Sequence, residues 1–205
     1  MLQNLRDRIG QDIFDYQMLM NALKEYASPK DKITSLLKSG EIIQLRRGLY
    51  IFNQTFRTKP LSREIIANML YGPSYISFEY ALGYYGIIPE RVNTVTSASL
   101  GRTRSFSTPL GLFTYKMVSE KVFSVGVDII SLFHIATPAK AIADKVAYES
   151  NLGIRSISGM IEYLKNNLRA DVSSVDSAEL DKIAETYDMA KITFLKEAVR
   201  RIKGE

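Results

Sequence analysis

The sequence has no cysteine and a single histidine, and these absences limit the chemistry that it can support. Without cysteine there is no disulfide, no thiolate nucleophile and no zinc-finger ligand set. A transition-metal site would depend on carboxylates beside His134, and no clustered Asp/Glu motif supplies them. P-loop and GxGxxG motifs are also missing. We therefore expect no metal, no cofactor, no catalytic residue and no enzymatic activity, and we expect His134 in the core or at the edge of a strand.

Long apolar runs are absent as well. No stretch approaches the roughly 18 consecutive apolar residues that a membrane-spanning helix needs. The first residues, MLQNLRDRIGQDIFDY, carry charges throughout and do not form the apolar centre of a signal peptide. The sequence therefore predicts a cytoplasmic protein without a membrane partner.

The most informative stretch is residues 28–52, SPKDKITSLLKSGEIIQLRRGLYIF. Ser28 followed by Pro29 is typical of a helix start, and Gly40 is typical of a helix end. Apolar residues between them have helical spacing, and those after Gly40 alternate as in a β-hairpin that reverses at Arg46-Arg47-Gly48. Two short helices are predicted before this stretch, over residues 2–10 and 16–26. The order predicts an N-terminal winged helix-turn-helix domain over residues 1–56.

Positive charge is concentrated in two segments. Residues 28–59 hold seven Lys or Arg against two acidic residues, a net +5, which includes Lys59. A basic helix beside a basic hairpin is the pattern expected of a protein that neutralises phosphates of double-stranded DNA. The candidate DNA-binding residues are Lys30, Lys32, Thr34, Ser35, Lys38, Gln44, Arg46 and Arg47. Residues 91–121 carry a net +4 and form a second basic region with Arg91, Arg102, Arg104 and Lys116.

The remainder of the chain, residues 57–205, predicts a larger mixed domain. Helical spacing over residues 62–86 is followed by period-two alternation between residues 92 and 135, which indicates an antiparallel sheet of about four strands. Thr137-Pro138 then opens a helix, and further helices follow to the C-terminus. The predicted fold class is therefore α+β, with a winged helix-turn-helix, a sheet domain and C-terminal helices.

Four segments of the chain resemble the AbiEi antitoxin family of type IV toxin–antitoxin and phage abortive-infection systems. They stand in the family's order and read RRGLYIF (46–52), SYISFEYALGYYGIIPE (74–90), VTSASLGRTRSFSTPLGLFTYKMV (95–118) and IATPAKAIADKV (135–146). Ser77, Tyr85, Lys140 and Asp144 stand at family-like positions.

The resemblance implies a winged-helix repressor of the protein's own promoter, joined to a domain that counters a toxin. Toxins of this family are similar to nucleotidyltransferases, and the antitoxin opposes them without a stable complex. A homodimer on DNA is compatible with this class, although the sequence shows no coiled-coil pattern.

Other interpretations remain open at this stage. The chain fits a stand-alone winged-helix transcription factor whose C-terminal domain senses a ligand or dimerises. It also fits, less well, a DNA-binding nuclease that uses Asp128, Lys140, Asp144 and Glu149. Lys140 and Asp144, one helical turn apart, could be an active pair or a binding site, but the interpretation that we favour is a surface ion pair worth about 0.3–0.5 kcal/mol. Ser77 is interpreted as a helix cap, and Arg102 and Arg104 either bind phosphates or lie in an exposed loop.

Overall fold

The structure is a computed structural model that describes residues 2–57 and 60–205. Lys59, which belongs to the predicted basic segment, lies outside the described residues, as do the side chains of Leu2 and Gln3. Over these ranges the chain forms ten α-helices and nine β-strands, a mixed α+β architecture. We refer to residues 2–57 as the N-terminal part and to residues 60–205 as the C-terminal part.

The N-terminal part alternates helices with short strands. The Asp15 carboxylate begins one helix by accepting a hydrogen bond from the Met18 N–H at 2.8 Å. The strands form an antiparallel sheet in the order β1-β3-β2. The elements are α1 (Leu2–Ile9), β1 (Ile13–Asp15), α2 (Tyr16–Ala22), α3 (Pro29–Lys38), β2 (Ile42–Arg46) and β3 (Leu49–Phe52).

Strand β3 is buried on both faces, and its four residues are accordingly all apolar or aromatic. Tyr50 and Phe52 point into a small core that is formed with the three N-terminal helices. Leu49 and Ile51 point the other way, into the large core of the C-terminal part. The small sheet therefore separates two cores and belongs to both, which couples the N-terminal part to the rest of the chain.

The C-terminal part begins after a 3₁₀ turn at Gln54–Phe56. Its second sheet has the strand order β6-β7-β5-β4-β9-β8. Its elements are α4 (Arg63–Leu70), β4 (Ser74–Ile76), α5 (Phe78–Tyr84), β5 (Val95–Ser99), β6 (Arg104–Thr108), β7 (Gly111–Met117), α6 (Glu120–Phe123), β8 (Val127–Ile130), β9 (Phe133–Ala136), α7 (Pro138–Tyr148), α8 (Ile157–Glu162, continued by a π-helical turn at Tyr163–Asn167), α9 (Ser177–Tyr187) and α10 (Ala190–Lys203).

The prediction of a purely antiparallel sheet is wrong. Strand β5 is parallel to β7, and β4 is parallel to β9, so the sheet is mixed. Strand β7 carries the fully buried Phe113 and Tyr115 and takes an inner position, whereas the mostly exposed β6 takes the edge. Alternation predicts which faces are apolar, but it does not predict which strands become neighbours.

The two faces of this sheet are covered by different helices. The Tyr115 hydroxyl donates to the Ala67 carbonyl of α4, and we call this side the α4 face. The Thr96 hydroxyl donates to the Ser77 carbonyl and accepts from the Tyr80 N–H of α5, and we call this side the α5 face. Helix α7 packs against α5, and α9 and α10 pack against α7 and against each other. None of the described helices is both long and apolar enough to span a membrane.

We expect Ile51→Ala to lower the free energy of unfolding by about 2–5 kcal/mol, because the side chain is fully buried in the large core. Urea denaturation followed by circular dichroism measures this loss. Gln44→Ala, an exposed position on the neighbouring strand, is the control and should change stability by less than about 0.5 kcal/mol. An equal, small effect of both changes would show that the C-terminal part does not cover this face of β3 in solution.

Candidate nucleic-acid interface

Helix α3 has one buried side and one exposed side, which carries Lys30 and Lys38 together with the acidic Asp31. Ile33 and Leu36 are buried in the small core. Lys30, Thr34 and Lys38 are one turn apart and exposed, and Ser35 lies beside them. The Thr34 hydroxyl donates to the Lys30 carbonyl at 3.1 Å within the helix. The structure thus brings four of the predicted DNA-binding residues onto one solvent-facing side of a helix.

Lys32 differs from its neighbours on α3. Its Nζ lies 5.9 Å from the centre of the Tyr26 ring, and the residue is half-buried. Part of its charge therefore faces the aromatic ring and not the solvent. Lys32 lies at the margin of the exposed side.

The β2–β3 hairpin reverses over Arg47 and Gly48, and Gly48 has a φ of +83°. Arg46 is engaged within the protein: its Nε donates to the Leu70 carbonyl at 2.6 Å, and its Nη1 donates to the Arg47 carbonyl at 3.1 Å. Arg47 is exposed, and no described residue forms a side-chain hydrogen bond or ion pair with it. Gln44 is also exposed. The two arginines, which the sequence presents as equivalent, therefore have different roles.

The four residues of the second basic region do not share one face of the sheet. Arg104 pairs with Tyr115, and its guanidinium lies 5.7 Å from the Tyr71 ring on the α4 face. Lys116 follows Tyr115 in the strand and therefore points to the α5 face, where its Nζ donates to the Tyr148 carbonyl. Arg91 and Arg102 are exposed in loops.

The structure joins the hairpin of the N-terminal part to strand β6. Strand β2 contacts β6, and Arg46 lies close enough to Tyr115 to influence its hydroxyl electrostatically. Arg104 stacks over Tyr71, whose ring meets the Tyr115 ring edge-on at 5.2 Å. Arg46 and Arg104, which are 58 positions apart in the numbering of the chain, therefore lie at one junction.

Sequence reasoning missed Arg63 as a member of the basic surface. Its Nη2 donates to the Asn93 carbonyl at 2.6 Å, and its guanidinium lies 5.7 Å from the Phe113 ring on the α4 face. The residue stands alone at the start of α4, and no local pattern in the sequence marks it. Only the packing of α4 on the sheet brings it beside β7.

Lys140 and Asp144 form a buried network and not the surface ion pair that was one interpretation of their spacing. Both side chains have no exposed surface, and Lys140 Nζ lies 3.5 Å from Asp144 Oδ1. Lys140 Nζ also donates to the Val122 carbonyl at 2.5 Å and to the Tyr187 hydroxyl at 2.8 Å. The reason for the difference is that α7 is covered by α5 and α9, so even its charged positions are enclosed.

Ser77 also has a different role from the predicted helix cap. Its hydroxyl makes no capping bond and instead donates to Asp144 Oδ2 at 2.6 Å. The Tyr75 hydroxyl donates to the same oxygen at 3.0 Å, and the Tyr187 hydroxyl donates to Oδ1. A buried carboxylate needs several donors, and this need outweighs the single bond that a cap offers.

Burial and the charge of Asp144 have opposite effects on the pKa of Lys140. Burial lowers the pKa of Lys140, and the nearby Asp144 carboxylate partly offsets that effect by favouring the ammonium. Burial and the Asp144 charge raise the pKa of Tyr75 and Tyr187, so both phenols stay protonated and act as donors. The network is a set of satisfied hydrogen bonds that holds elements together.

Tyr85 lies apart from this network. It is half-buried, and burial, followed by the charge of Asp128, raises the pKa of its hydroxyl to about 12. Among the described residues no partner accepts or donates a hydrogen bond at this hydroxyl. The four family-like positions therefore divide into a buried cluster of three and a separate tyrosine.

The residues of the nuclease interpretation are not brought together as a reaction centre. Asp144 is sealed from solvent, Asp128 is exposed on β8, and Glu149 forms an ion pair with Lys145. Within residues 2–57 and 60–205, no group of three or more histidine, aspartate or glutamate side chains could hold a metal ion. His134, expected in the core or at a strand edge, is exposed on β9, which is an inner strand of the sheet.

Comparisons with known proteins leave the family open: no protein-family model matches the chain, and no curated protein matches it. The AbiEi resemblance therefore depends on the four sequence segments alone.

We expect Asp144→Asn to destabilise the protein by about 3–5 kcal/mol at neutral pH, because it leaves Lys140 buried without its counter-charge. The pKa of Lys140 in the folded state should then fall further below its unfolded value. The folded state would bind fewer protons than the unfolded state, so stability should rise as pH increases from the folded pKa towards the unfolded value of about 10.4.

Urea denaturation at a series of pH values measures this effect. Asp128→Asn, at an exposed carboxylate, is the control and should follow the parent protein. The double change Lys140→Met with Asp144→Leu removes both charges together, so the added pH dependence should disappear, although the hydroxyl groups of Tyr75, Ser77 and Tyr187 lose their acceptor. A loss in Asp144→Asn that is small and independent of pH would contradict the burial of this pair.

Proposed function

We propose that this protein is a DNA-binding transcriptional autorepressor and the antitoxin of a type IV toxin–antitoxin system. The observation that carries the DNA-binding half is the exposed side of α3, where Lys30, Thr34, Ser35 and Lys38 lie opposite the buried Ile33 and Leu36. A helix with a basic, hydroxyl-bearing exposed side suits the major groove.

The order of the N-terminal elements supports a winged helix-turn-helix. The N-terminal part has three helices, a strand between the first two helices and a hairpin after the third, which is the order of elements in such a domain. The strand order is β1-β3-β2. In this proposal α3 is the recognition helix and the β2–β3 hairpin is the wing. Lys30 and Lys38 contact phosphates, and Ser35 and Thr34 reach base edges.

The hairpin contributes one free arginine to this interface. Arg47 is exposed at the reversal and suits a phosphate or the minor groove, whereas Arg46 is engaged with the Leu70 carbonyl. The contact of β2 with β6 extends the basic surface towards Arg104. The partner in this proposal is the double-stranded DNA of the protein's own promoter, and binding as a homodimer is compatible with the class.

The antitoxin half of the proposal is based on the resemblance to the AbiEi family. In it, the C-terminal part counters a nucleotidyltransferase-like toxin in the cytoplasm without a stable complex, as part of phage defence. Ser77, Lys140 and Asp144, which stand at family-like positions, share a structural role in the buried network. A stand-alone transcription factor with a sensing or dimerising C-terminal part is the alternative.

We expect Lys30→Ala, Lys38→Ala and Arg47→Ala each to weaken binding to every duplex sequence. Each change should flatten the dependence of log K on log salt by about 0.9, the value for one lost phosphate contact. Fluorescence anisotropy with the promoter duplex and a scrambled duplex, at two or more salt concentrations, measures both quantities.

Lys182→Ala removes an exposed lysine from α9 and is the matched control for lost charge. Its salt slope should equal that of the parent protein. If all four changes reduce the slope equally, binding reflects net charge alone and α3 is not the recognition helix. Loss of the preference for the promoter duplex in Ser35→Ala, without a change in slope, would assign that residue to base readout.

The two halves of the proposed function should separate in a variant that carries both Lys30→Ala and Lys38→Ala. This variant should no longer repress a reporter under its own promoter, because phosphate contacts are lost. Expressed from an unrelated promoter together with the nucleotidyltransferase-like toxin of this proposal, it should still restore growth. If the parent protein itself does not restore growth, the antitoxin half is wrong and the transcription-factor alternative is favoured.

A further inference from the structure

A cavity of about 490 Å³ lies at the uncovered end of the α5 face of the larger sheet. Strands β5, β6 and β7 form its floor, and the start of α5 and the end of α7 form its wall. Its volume is within the range of about 300–1,000 Å³ that is usual for small-molecule sites. The cavity is separate from α3 and from the network around Asp144.

Strand alternation determines which side chains enter the cavity. Ser105 pairs with Thr114, and both point to the α5 face together with Lys116. Arg104 and Tyr115 also border the cavity, but their side chains point to the α4 face, where they contact Tyr71 and Ala67. The polar groups that strands β6 and β7 offer to a ligand are therefore two hydroxyls and one ammonium.

The ammonium of Lys116 can donate more hydrogen bonds than the one that it makes within the protein. It donates to the Tyr148 carbonyl, and among the described residues it has no carboxylate within ion-pair distance. Burial and then the charge of Lys116 lower the pKa of Lys191 on α10, and the Glu149 carboxylate acts in the opposite direction. An ammonium that borders a cavity and has no carboxylate within ion-pair distance favours an anionic ligand group.

The opposite side of the cavity carries carboxylates. Lys145 Nζ lies 2.7 Å from Glu79 Oε1 and also forms an ion pair with Glu149. The remaining oxygens of the two carboxylates can accept hydrogen bonds from hydroxyl or amino groups. A ligand that fits both sides therefore has an anionic end and several neutral donors.

Between these groups lie two aromatic rings. Phe78 and Tyr148 meet edge-to-face with centres 6.3 Å apart, and Lys116 Nζ lies 5.8 Å from the centre of the Phe78 ring. Phe78 holds this position with a φ of +58°, a conformation that is unfavourable for a phenylalanine. Such strain is often found where a side chain must be held at a ligand site.

We propose that this cavity binds a nucleoside monophosphate, with its phosphate at Lys116, its ring system beside Phe78 and Tyr148, and its hydroxyl or amino groups towards Glu79 and Glu149. A free nucleotide and the phosphorylated end of a single strand present the same chemistry. The proposal goes beyond the proposed function and does not depend on it, because it requires neither the duplex nor a toxin.

Isothermal titration calorimetry of the full chain tests the proposal with AMP, GMP, CMP and UMP, their nucleosides and inorganic phosphate. At least one nucleotide should bind roughly tenfold or more tightly than both its nucleoside and phosphate, since it uses both ends of the cavity. A short single-stranded oligonucleotide with a terminal phosphate forms a separate arm. Binding of the oligonucleotide without binding of any free nucleotide would identify a strand end as the source of the ligand.

Two variants locate the binding. Lys116→Gln keeps a donor for the Tyr148 carbonyl but removes the charge. It should lower the affinity for the ligand about tenfold or more. Ser105→Tyr fills the cavity from an exposed edge strand without changing the core, and it should weaken binding at least as much. Lys182→Gln is the control and should bind as the parent does. The proposal is overturned if no nucleotide or strand end binds, if phosphate alone binds equally well, or if both variants bind as the parent.

Discussion

The Asp144 carboxylate accepts hydrogen bonds from three hydroxyl groups, and this single buried charge organises the C-terminal part. Tyr75 belongs to β4, Ser77 to the connection between β4 and α5, and Tyr187 to the end of α9. Lys140, one turn earlier on α7, neutralises this charge. Its Nζ also donates a hydrogen bond to the Val122 carbonyl of α6. Each element can satisfy its polar group only when the others are in place, so the network specifies one arrangement of the helices on the sheet.

A second constraint joins the two parts of the chain. Strand β3 is buried on both faces, and the hairpin before it is fixed by the Arg46 hydrogen bond to the Leu70 carbonyl. This hydrogen bond lies at the margin of the apolar contact. The Arg46 guanidinium there pairs with a carbonyl at the end of α4 that has no partner within the helix. The position of the N-terminal part is therefore set by packing as well as by a directed hydrogen bond.

Helix starts were predicted better than helix ends, because start signals are local: α3 and α7 begin at Pro29 and Pro138, whereas the helix predicted over residues 16–26 ends at Ala22. Asp15, Ser62 and Thr137 each precede a helix and accept a hydrogen bond from its first turn, as residues of these types are expected to do. The small strand β1 and the inner strand β4 were missed, since three residues are too few to show a period. Val122 belongs to the stretch between residues 92 and 135 in which alternation predicts strands, but it lies in the short helix α6, which follows directly after Ser119.

The site residues show the same division between local and non-local information. The exposed side of α3 could be predicted, because helical spacing alone decides which of its residues are buried. The burial of Lys140 and Asp144 could not, because it depends on α5 and α9, which come from distant segments. The different roles of Arg46 and Arg47 also depend on a partner 24 positions away, the Leu70 carbonyl.

The net charge of a sequence segment does not tell which face of a sheet carries the charge, as β6 and β7 show. Arg104 pairs with Tyr115 and faces α4, whereas Lys116 is one residue further and faces α5. A nucleic acid that follows α3 and Arg47 could extend to Arg104 across the contact of β2 with β6, but it could not reach Lys116 on the other face. Lys116 and Arg104 therefore lie on different surfaces, and in our two proposals these surfaces have separate ligands.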